Sequence, residues 1–421
     1  MKIGFIISRT IYYKYYSPII DEALKRNIFV FCFHNYGHTK TGVKGYNFPE
    51  INKVPSFLYG KPRFQKFQNA NELIDLFTDY MLDAIISLDT PNKIFSNAKP
   101  NSLPLWILVQ HHADFFTKSI QDLNSADMIF ALTKIWHSYA LDYAKINNTS
   151  QLDKETLKQL QSKIYYVGYP QLISKKIIDV SEIRSKYGIP TNKKVVLLLH
   201  HGLWQYPNFW GKRLFNNGRL MQIFYIILFR QFKYLNHIIK NMNFKRLVKV
   251  IRFIADNNDA VIIVKYRKKT PLPYHLKKNS LNCIVDEEEY PPTISELMEI
   301  ADLCISTYRS MAVLEAAHFH TPFLSIEPLS DDKSGYSKDI IIKEDIFYNT
   351  DKFSLFNYSG VSYITSIPYL FNNYKKIILS DYHLDPDSRN KYVNKYIRKS
   401  DLLKSPSQLI IDTISEKVNI A

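Results

Sequence analysis

The sequence predicts an α/β protein built as two successive domains, and three observations carry that expectation. Short apolar runs alternate with helix-patterned stretches from the start: Lys2 to Ile7 reads as a strand, Ser17 to Lys25 as a helix, and Ile28 to Phe33 as a second strand. The series pauses at Gly168-Tyr169-Pro170, where Gly and Pro break regular structure on both sides of one aromatic. The stretch SEIRSKYGIPTNKKVVLLLHHG then opens a new helix, a turn at Gly188-Ile189-Pro190 and a new strand. Finally, Tyr290 to Pro328 reads as one helix-strand-helix-strand unit, the repeat from which a parallel sheet is wound. The expected boundaries are 1–170, 171–380 with a basic insertion at about 203–255, and a helical 381–421.

Composition bounds the answer. The chain has 421 residues, 46% hydrophobic and 22% charged, which suits folded domains rather than a disordered polymer. Cys32, Cys283 and Cys304 lie far apart without ligand spacing, so buried thiols in a reducing, cytoplasmic compartment are expected. No run approaches the roughly 18 apolar residues that a membrane span needs, and MKIGFIISRT turns polar too soon for a signal peptide. The net charge of +16 calls for a polyanionic neighbour: nucleic acid, an anionic membrane or a phosphate-rich substrate. With 12 glycines and neither GxGxxG nor GxxxxGK[ST], phosphate-loop and dinucleotide readings have no support.

Between the first strands and Gly168, residues 34–67 carry Gly37, Gly42, Gly45 and Gly60 with Pro49, Pro55 and Pro62, and read as an irregular excursion. Asn69 to Tyr80 is helical in pattern, and Ala84 to Leu88, Leu105 to Val109, Met128 to Leu132 and Ile164 to Val167 are strands. A helix is expected from about Thr133 to Ala144, and a polar surface loop from Asn147 to Thr156. Val261 to Val264 is a strand of the second series, and Asp385 to Lys395 and Ser400 to Ile420 end the chain as helices.

In ELMEIADLCISTYRSMAVLEAAHFHTPFL, Leu303 to Ile305 is long enough only for a buried strand. Ser306-Thr307 supplies hydroxyls at the turn into the next helix, where free amides are capped and an anion can be held. Glu315 follows on a partly apolar helical face, and Thr321-Pro322 ends that helix before the strand Phe323 to Ile326. This order resembles the donor half of GT-B glycosyltransferases, and it is most similar to the CDP-glycerol glycerophosphotransferase family of bacterial surface-polymer enzymes. There the strand ends in Thr-Asp-Tyr-Ser-Ser. Here Ser306-Thr307-Tyr308-Arg309-Ser310 stands instead, without the Asp and with Arg309 for a Ser. The Gly-Tyr-Pro phrase and the segment 183–199 also follow the family's order, whereas the first hundred residues match only in alternation.

The resemblance implies a GT-B-like fold: two Rossmann-like domains with an interdomain cleft, the first on the acceptor side, the second holding a nucleotide donor, and C-terminal helices crossing back. It implies transfer of a glycosyl or polyol-phosphate group from a nucleotide-activated donor to a cell-surface glycan or lipid-linked acceptor. The donor is a substrate, and no cofactor is expected. A nucleotide-sugar 2-epimerase of the same fold and a basic nucleic-acid-binding protein are the alternatives. The latter lacks any recognisable module, so no nucleic acid is expected.

The transfer needs a base to take the acceptor hydroxyl's proton, and histidine titrates in the right range. His111 and His112 follow a buried strand. His112 aligns with the family's base, with Ala113 where the family has Gly, and His111 and Asp114 are next in line. His200-His201-Gly202 ends the first strand of the second domain, and Lys265 and Arg267 end a neighbouring one, where cations offset charge on a departing phosphate. The family usually has a His at that second strand end. Glu315 is expected to accept the ribose hydroxyls of the donor, the alternative being a surface Glu on an exposed turn. Ser306, Thr307, Arg309 and Ser310 complete the donor set. Asp331-Asp332 and Asp385-Pro-Asp387 follow no strand, and no metal site is expected.

From Leu203 to Ala255 there are ten Lys and Arg and no Asp or Glu. The apolar block Leu220 to Phe229 is flanked by Arg219, Arg230 and Lys233, with Lys240 beyond. Phe244, Leu247, Val248 and Ile251 form a helical stripe, with Lys245, Arg246, Lys249 and Arg252 elsewhere. Such a pattern suits an element lying on the inner, anionic membrane face, or equally a core helix with a solvated basic side.

Overall fold

The computed structural model describes the chain except residues 40–47, 96–102, 112–114, 117–119, 139–153, 173–178, 200–223, 225–226, 228–246, 268–281, 287–289, 291, 307–309, 328–353, 400–401 and 421. The chain divides into two compact units: Met1–Lys176, Glu288–Pro292 and Val393–Ala421 form the first, and Ile177–Glu287 and Thr293–Tyr392 the second.

The first unit is a parallel sheet of seven strands: β1 (Lys2–Ile7), β2 (Phe29–Asn35), β3 (Arg63–Phe67), β4 (Ala84–Ser87), β5 (Leu105–Val109), β6 (Met128–Ala131) and β7 (Ile164–Tyr166). Their order is β3-β2-β1-β4-β5-β6-β7. It reverses direction between β1 and β4, the Rossmann pattern, in which ligands bind at the carboxyl ends beside that reversal. β1, β4, β5 and β6 are almost wholly buried, as expected of strands covered on both faces. A Cβ at Gly4 would come within 2.7 Å of Ile85 and Phe33 side-chain atoms, which would have to shift.

Helix α1 (Tyr13–Lys25) begins four residues earlier than Ser17, with Pro18 inside it. Tyr13 and Tyr16 fill the core together with Ile19, Ile20 and Ala23, so packing sets the start rather than the proline. Helix α2 (Ala70–Tyr80) is capped by Asn69, whose side chain accepts from Glu72 N at 3.0 Å, while Glu72 Oε2 accepts from Gln68 N at 2.8 Å. The excursion after β2 does not run irregularly to Phe67: its last five residues are β3, an edge strand whose mixed exposure lacks a continuous apolar run. Lys154–Ser162 is a helix, so the polar loop expected to reach Thr156 ends before Lys154.

The second unit has six parallel strands: β8 (Lys194–Leu199), β9 (Ala260–Arg267), β10 (Asn282–Asp286), β11 (Leu303–Ser306), β12 (Phe323–Glu327) and β13 (Ser362–Ser366). Their order, β10-β9-β8-β11-β12-β13, repeats the first plan, with the reversal between β8 and β11. The edge strands β10 and β13 are not legible in the sequence, since one-sided pairing tolerates polar residues. Helix α3 (Val180–Lys186) is capped by Asp179. Its end is tied to α4 (Thr293–Glu299) by Glu296, which accepts from Lys186 Nζ at 2.7 Å and Tyr187 OH at 3.0 Å.

Residues 247–257 are helical, and Leu247, Val248, Val250, Ile251, Ile254 and Ala255 lie in the second unit's core with Val196, Leu198 and Val264. This corrects the interfacial reading of that stripe. Here the apolar face covers the sheet, Lys249 points to solvent and Arg252 is half-buried. Phe244, Lys245 and Arg246 lie outside the described residues.

The chain closes on its own beginning. Helix α6 (Pro386–Tyr396) leads to α7 (Pro406–Ile420), whose Ile410, Ile411 and Ile414 are fully buried in the first unit's core. Arg26, the C-cap of α1, pairs with Asp412 on α7, and Thr133 Oγ1 and Trp136 Nε1 donate to the carbonyls of Lys395 and Tyr396 at 2.6 and 2.8 Å. Among the described residues no helix is long and apolar enough to cross a membrane.

Candidate functional site

Each unit gathers polar groups at the carboxyl ends of its strands, beside its reversal. In the second unit the register runs Ser325, Ser306, Leu199, Lys265 across β12, β11, β8 and β9. Ser306 and Ser325 are fully buried and Lys265 is 5% exposed. Helix α5 (Ala312–His318) follows β11, and Ser310 lies just before its N-cap Met311: the Ser310 carbonyl accepts from Val313 N at 3.0 Å and its hydroxyl from Ala312 N at 3.3 Å. Glu315, in the first turn, is 4% exposed, which overturns the reading of a surface Glu.

A buried Lys and a buried Glu are costly to place unless something answers their charge. Both act on the same group: burial pushes the Cys304 thiol well up, the charge of Glu315 adds to that, and Lys265 opposes it. Opposite charges therefore act on one buried thiol inside β11. His318, at the end of α5, is held at about 4 by burial, then by Arg389 and His320, with Glu315 pulling the other way. Arg389 Nε and Nη2 donate to the carbonyls of Ala317 and His318 at 2.8 and 3.0 Å and close the helix that carries Glu315.

The structure thus brings Ser306, Lys265, Ser310 and Glu315 to one end of one sheet. Arg267 ends β9 opposite Asp286, and nothing further is described of its side chain. Thr307, Arg309, His200, His201 and Gly202 lie outside the described residues. Asp385 accepts from Ser388 N at 2.7 Å as the cap of α6, and that bond with the Ser388 hydroxyl holds its carboxyl below the usual range. Asp331 and Asp332 are outside the described residues, among which no group of three or more His, Cys, Asp or Glu could hold a metal.

In the first unit, Gln110 closes β5. Its N–H donates to Phe130 O at 2.9 Å and its buried Oε1 accepts from Leu132 N at 3.0 Å, fixing the chain that leads into His111. His111 is half-buried, with Tyr15 at 5.5 Å and Phe115 at 5.9 Å between ring centroids. Its Nδ1 lies 3.3 Å from Val109 O. A carbonyl only accepts, so in that contact Nδ1 is the donor. His112 and Asp114 are outside the described residues.

Two arrangements escaped the sequence reading. Asp89, just past β4, is buried: it accepts from Tyr12 OH at 3.1 Å and is paired with Lys93. His34, at the end of β2, is wholly buried between Tyr13 OH on Nε2 and Pro49 O on Nδ1, both at 2.7 Å. The available signal was a polar residue directly after an apolar run, as in AIISLDT.

No family model matches the sequence, and no curated protein matches it. Among solved structures the H444N variant of the wall teichoic acid polymerase TagF superposes with a TM-score of 0.57 at 14% identity, covering 100% of this chain and 89% of that one. The chain has a GT-B-like fold. S. aureus MnaA, solved with UDP, gives 0.52 at 13% identity over 100% of this chain and 97% of that one. A putative UDP-N-acetylglucosamine 2-epimerase from Listeria monocytogenes gives 0.50 at 10% identity over 100% and 97%. At such identities the shared property is the fold alone.

Proposed function

We propose that this GT-B-like chain transfers a glycosyl or polyol-phosphate group from a nucleotide-activated donor to a cell-surface glycan or lipid-linked acceptor. The observation that carries the reading is the convergence of Ser306, Lys265 and Glu315 at the reversal of the second sheet. A nucleotide diphosphate needs that combination: hydroxyls and a cation for phosphate oxygens, and a carboxylate to accept from ribose hydroxyls. Thr307, Arg309, Ser310, Arg267, His200, His201 and Gly202 are assigned to the same donor set. His112 is the proposed base, with His111 and Asp114 as its substitutes. The base accepts the acceptor proton as the hydroxyl oxygen attacks the donor and the nucleotide leaves with the bonding electrons.

The test is donor-dependent thermal stabilisation over CDP-, UDP-, GDP- and CMP-linked compounds. A ligand at 100 times its Kd stabilises by about 2.7 kcal/mol, a shift easily read. No shift with any of them removes the transferase reading. The likeness to the putative UDP-N-acetylglucosamine 2-epimerase keeps a 2-epimerase in view. That activity would change the donor sugar with no acceptor present, which NMR of a UDP-sugar incubated alone detects.

The acceptor's lipid anchor brings the basic segment into the proposal. Phe224 and Ile227 are helical, three residues apart, and 54% and 60% exposed. With Arg219, Arg230, Lys233 and Lys240 nearby in sequence, they suit reversible attachment to the anionic inner face of a membrane.

A further inference from the structure

We propose that His137, pinned by Tyr166 and packed on Phe116, is a positioning residue for the segment after β5 that carries the proposed base. This rests on the transferase reading and adds the group that fixes its acceptor-side geometry.

His137 is 4% exposed, and its Nε2 is buried without a hydrogen-bond partner among the described residues. The other ring nitrogen, Nδ1, lies 3.3 Å from Tyr166 OH on β7. Either the hydroxyl donates to Nδ1 and Nε2 keeps an unused N–H, or Nδ1 donates and Nε2 keeps an unused lone pair. Both forms leave one buried polar atom unmatched, a destabilising feature that a phenyl ring of similar shape would lack. Local features that weaken the fold without a local gain cluster at functional positions.

The helical residues 134–138 follow closely on β6, which pairs with β5. There the His137 ring stands 5.3 Å from that of Phe116, tilted by 49°. Phe116 meets Phe115 at 5.1 Å, Phe115 meets His111 at 5.9 Å, and His111 meets Tyr15 of α1 at 5.5 Å. A continuous line of rings therefore runs from β7 to α1 and takes in His111, Phe115 and Phe116, which bracket His112 in the sequence. Phe115 and Phe116 are buried, so a displacement of one ring is felt by the next.

The backbone under His137 is held as well. Thr133 and Trp136 donate to the carbonyls of Lys395 and Tyr396, at the end of α6. Burial, and then the charge of Lys134, lower the His137 pKa, so the ring is neutral at pH 7 and packs on Phe116 as an apolar group would. Its bond to Tyr166 sets its rotation. A phenyl ring in its place would keep the packing and lose that pin. Catalytic groups have to be held within about 0.5 Å of the productive geometry, and the pin supplies such a constraint.

The experiment compares wild type, His137→Phe and Tyr166→Phe as full chains with 15N-labelled histidine rings. The ring signals of His111 and His112 should move in both variants, while the urea midpoint of His137→Phe is unchanged or higher. Nucleotide release from the CDP-, UDP-, GDP- or CMP-linked donor that gives the largest thermal shift should fall roughly 10- to 100-fold in kcat, with the donor shift and the donor KM kept. Tyr166→Phe retains both rings and removes only the pin, so it should reproduce the loss even if His137→Phe unfolds. Unmoved His111 and His112 signals in the variants, or unchanged release, overturn the assignment. A missing donor shift in wild type overturns the transferase reading alone, since the ring signals still report on the positioning.

Discussion

Acidification should weaken the first unit through His34. The ring is wholly buried, and burial holds it at about 4 against an ordinary 6.5, outweighing the opposite pull of the Pro49 carbonyl. Pro49 O can only accept, so Nδ1 carries the proton and the Nε2 lone pair receives Tyr13 OH. A second proton would have to displace that bond. Because the folded value is depressed, the stabilisation is fully present above pH 6.5 and is lost as pH falls toward 4. Between pH 7 and pH 5 the unfolded chain takes up a proton that the folded one refuses, at a cost of about 2 kcal/mol. Urea denaturation at both pH values, on wild type and His34→Gln, isolates the effect, because every other titrating group is common to the two proteins. The stability gap between them should narrow by about 2 kcal/mol on going to pH 5. A gap that stays constant, or widens, refutes the argument.

Three further outcomes are expected. Glu315→Gln should lower donor affinity roughly 10- to 100-fold by thermal shift, whereas His112→Ala should stop turnover with the donor shift nearly intact; if His112→Ala keeps its rate, His111 and Asp114 are tried next. Arg389→Leu leaves the Ala317 and His318 carbonyls without their donor, and should cost about 1–3 kcal/mol in chemical denaturation together with weaker donor binding, because α5 carries Glu315. The chain should sediment with anionic vesicles, little with neutral ones, and be released by salt; changing Arg219, Arg230, Lys233 and Lys240 to Glu should abolish the binding, and unchanged pelleting would leave the segment as scaffold.

The sequence by itself determined the alternation, and with it the architecture. β1, β4, β5, β8, β11 and β12 are runs largely buried on both faces, so apart from Ser87, Ser306 and Ser325 their buried positions are apolar or glycine, and that pattern is legible one residue at a time. Ser306 and Glu315 were legible for a related reason: a polar group placed directly after such a run, or on an apolar helical face, stands out locally. What only the tertiary structure decided involves partners far apart in the chain. The edge strands β3, β10 and β13 pair on one side and carry no pattern of their own. The stripe at Leu247 to Ile251 is amphipathic whether it meets a membrane or a sheet, and only the cluster with Val196, Leu198 and Val264 shows which surface it covers. The start of α1 at Tyr13 depends on the core in which Tyr13 and Tyr16 are buried. Asp89 gained its place from Tyr12, seventy-seven positions earlier, and from a strand order that sets β4 beside β1. Local patterning records burial, because burial acts on each residue alone. A site is a meeting of residues, and the meeting is set by how the sheet is wound.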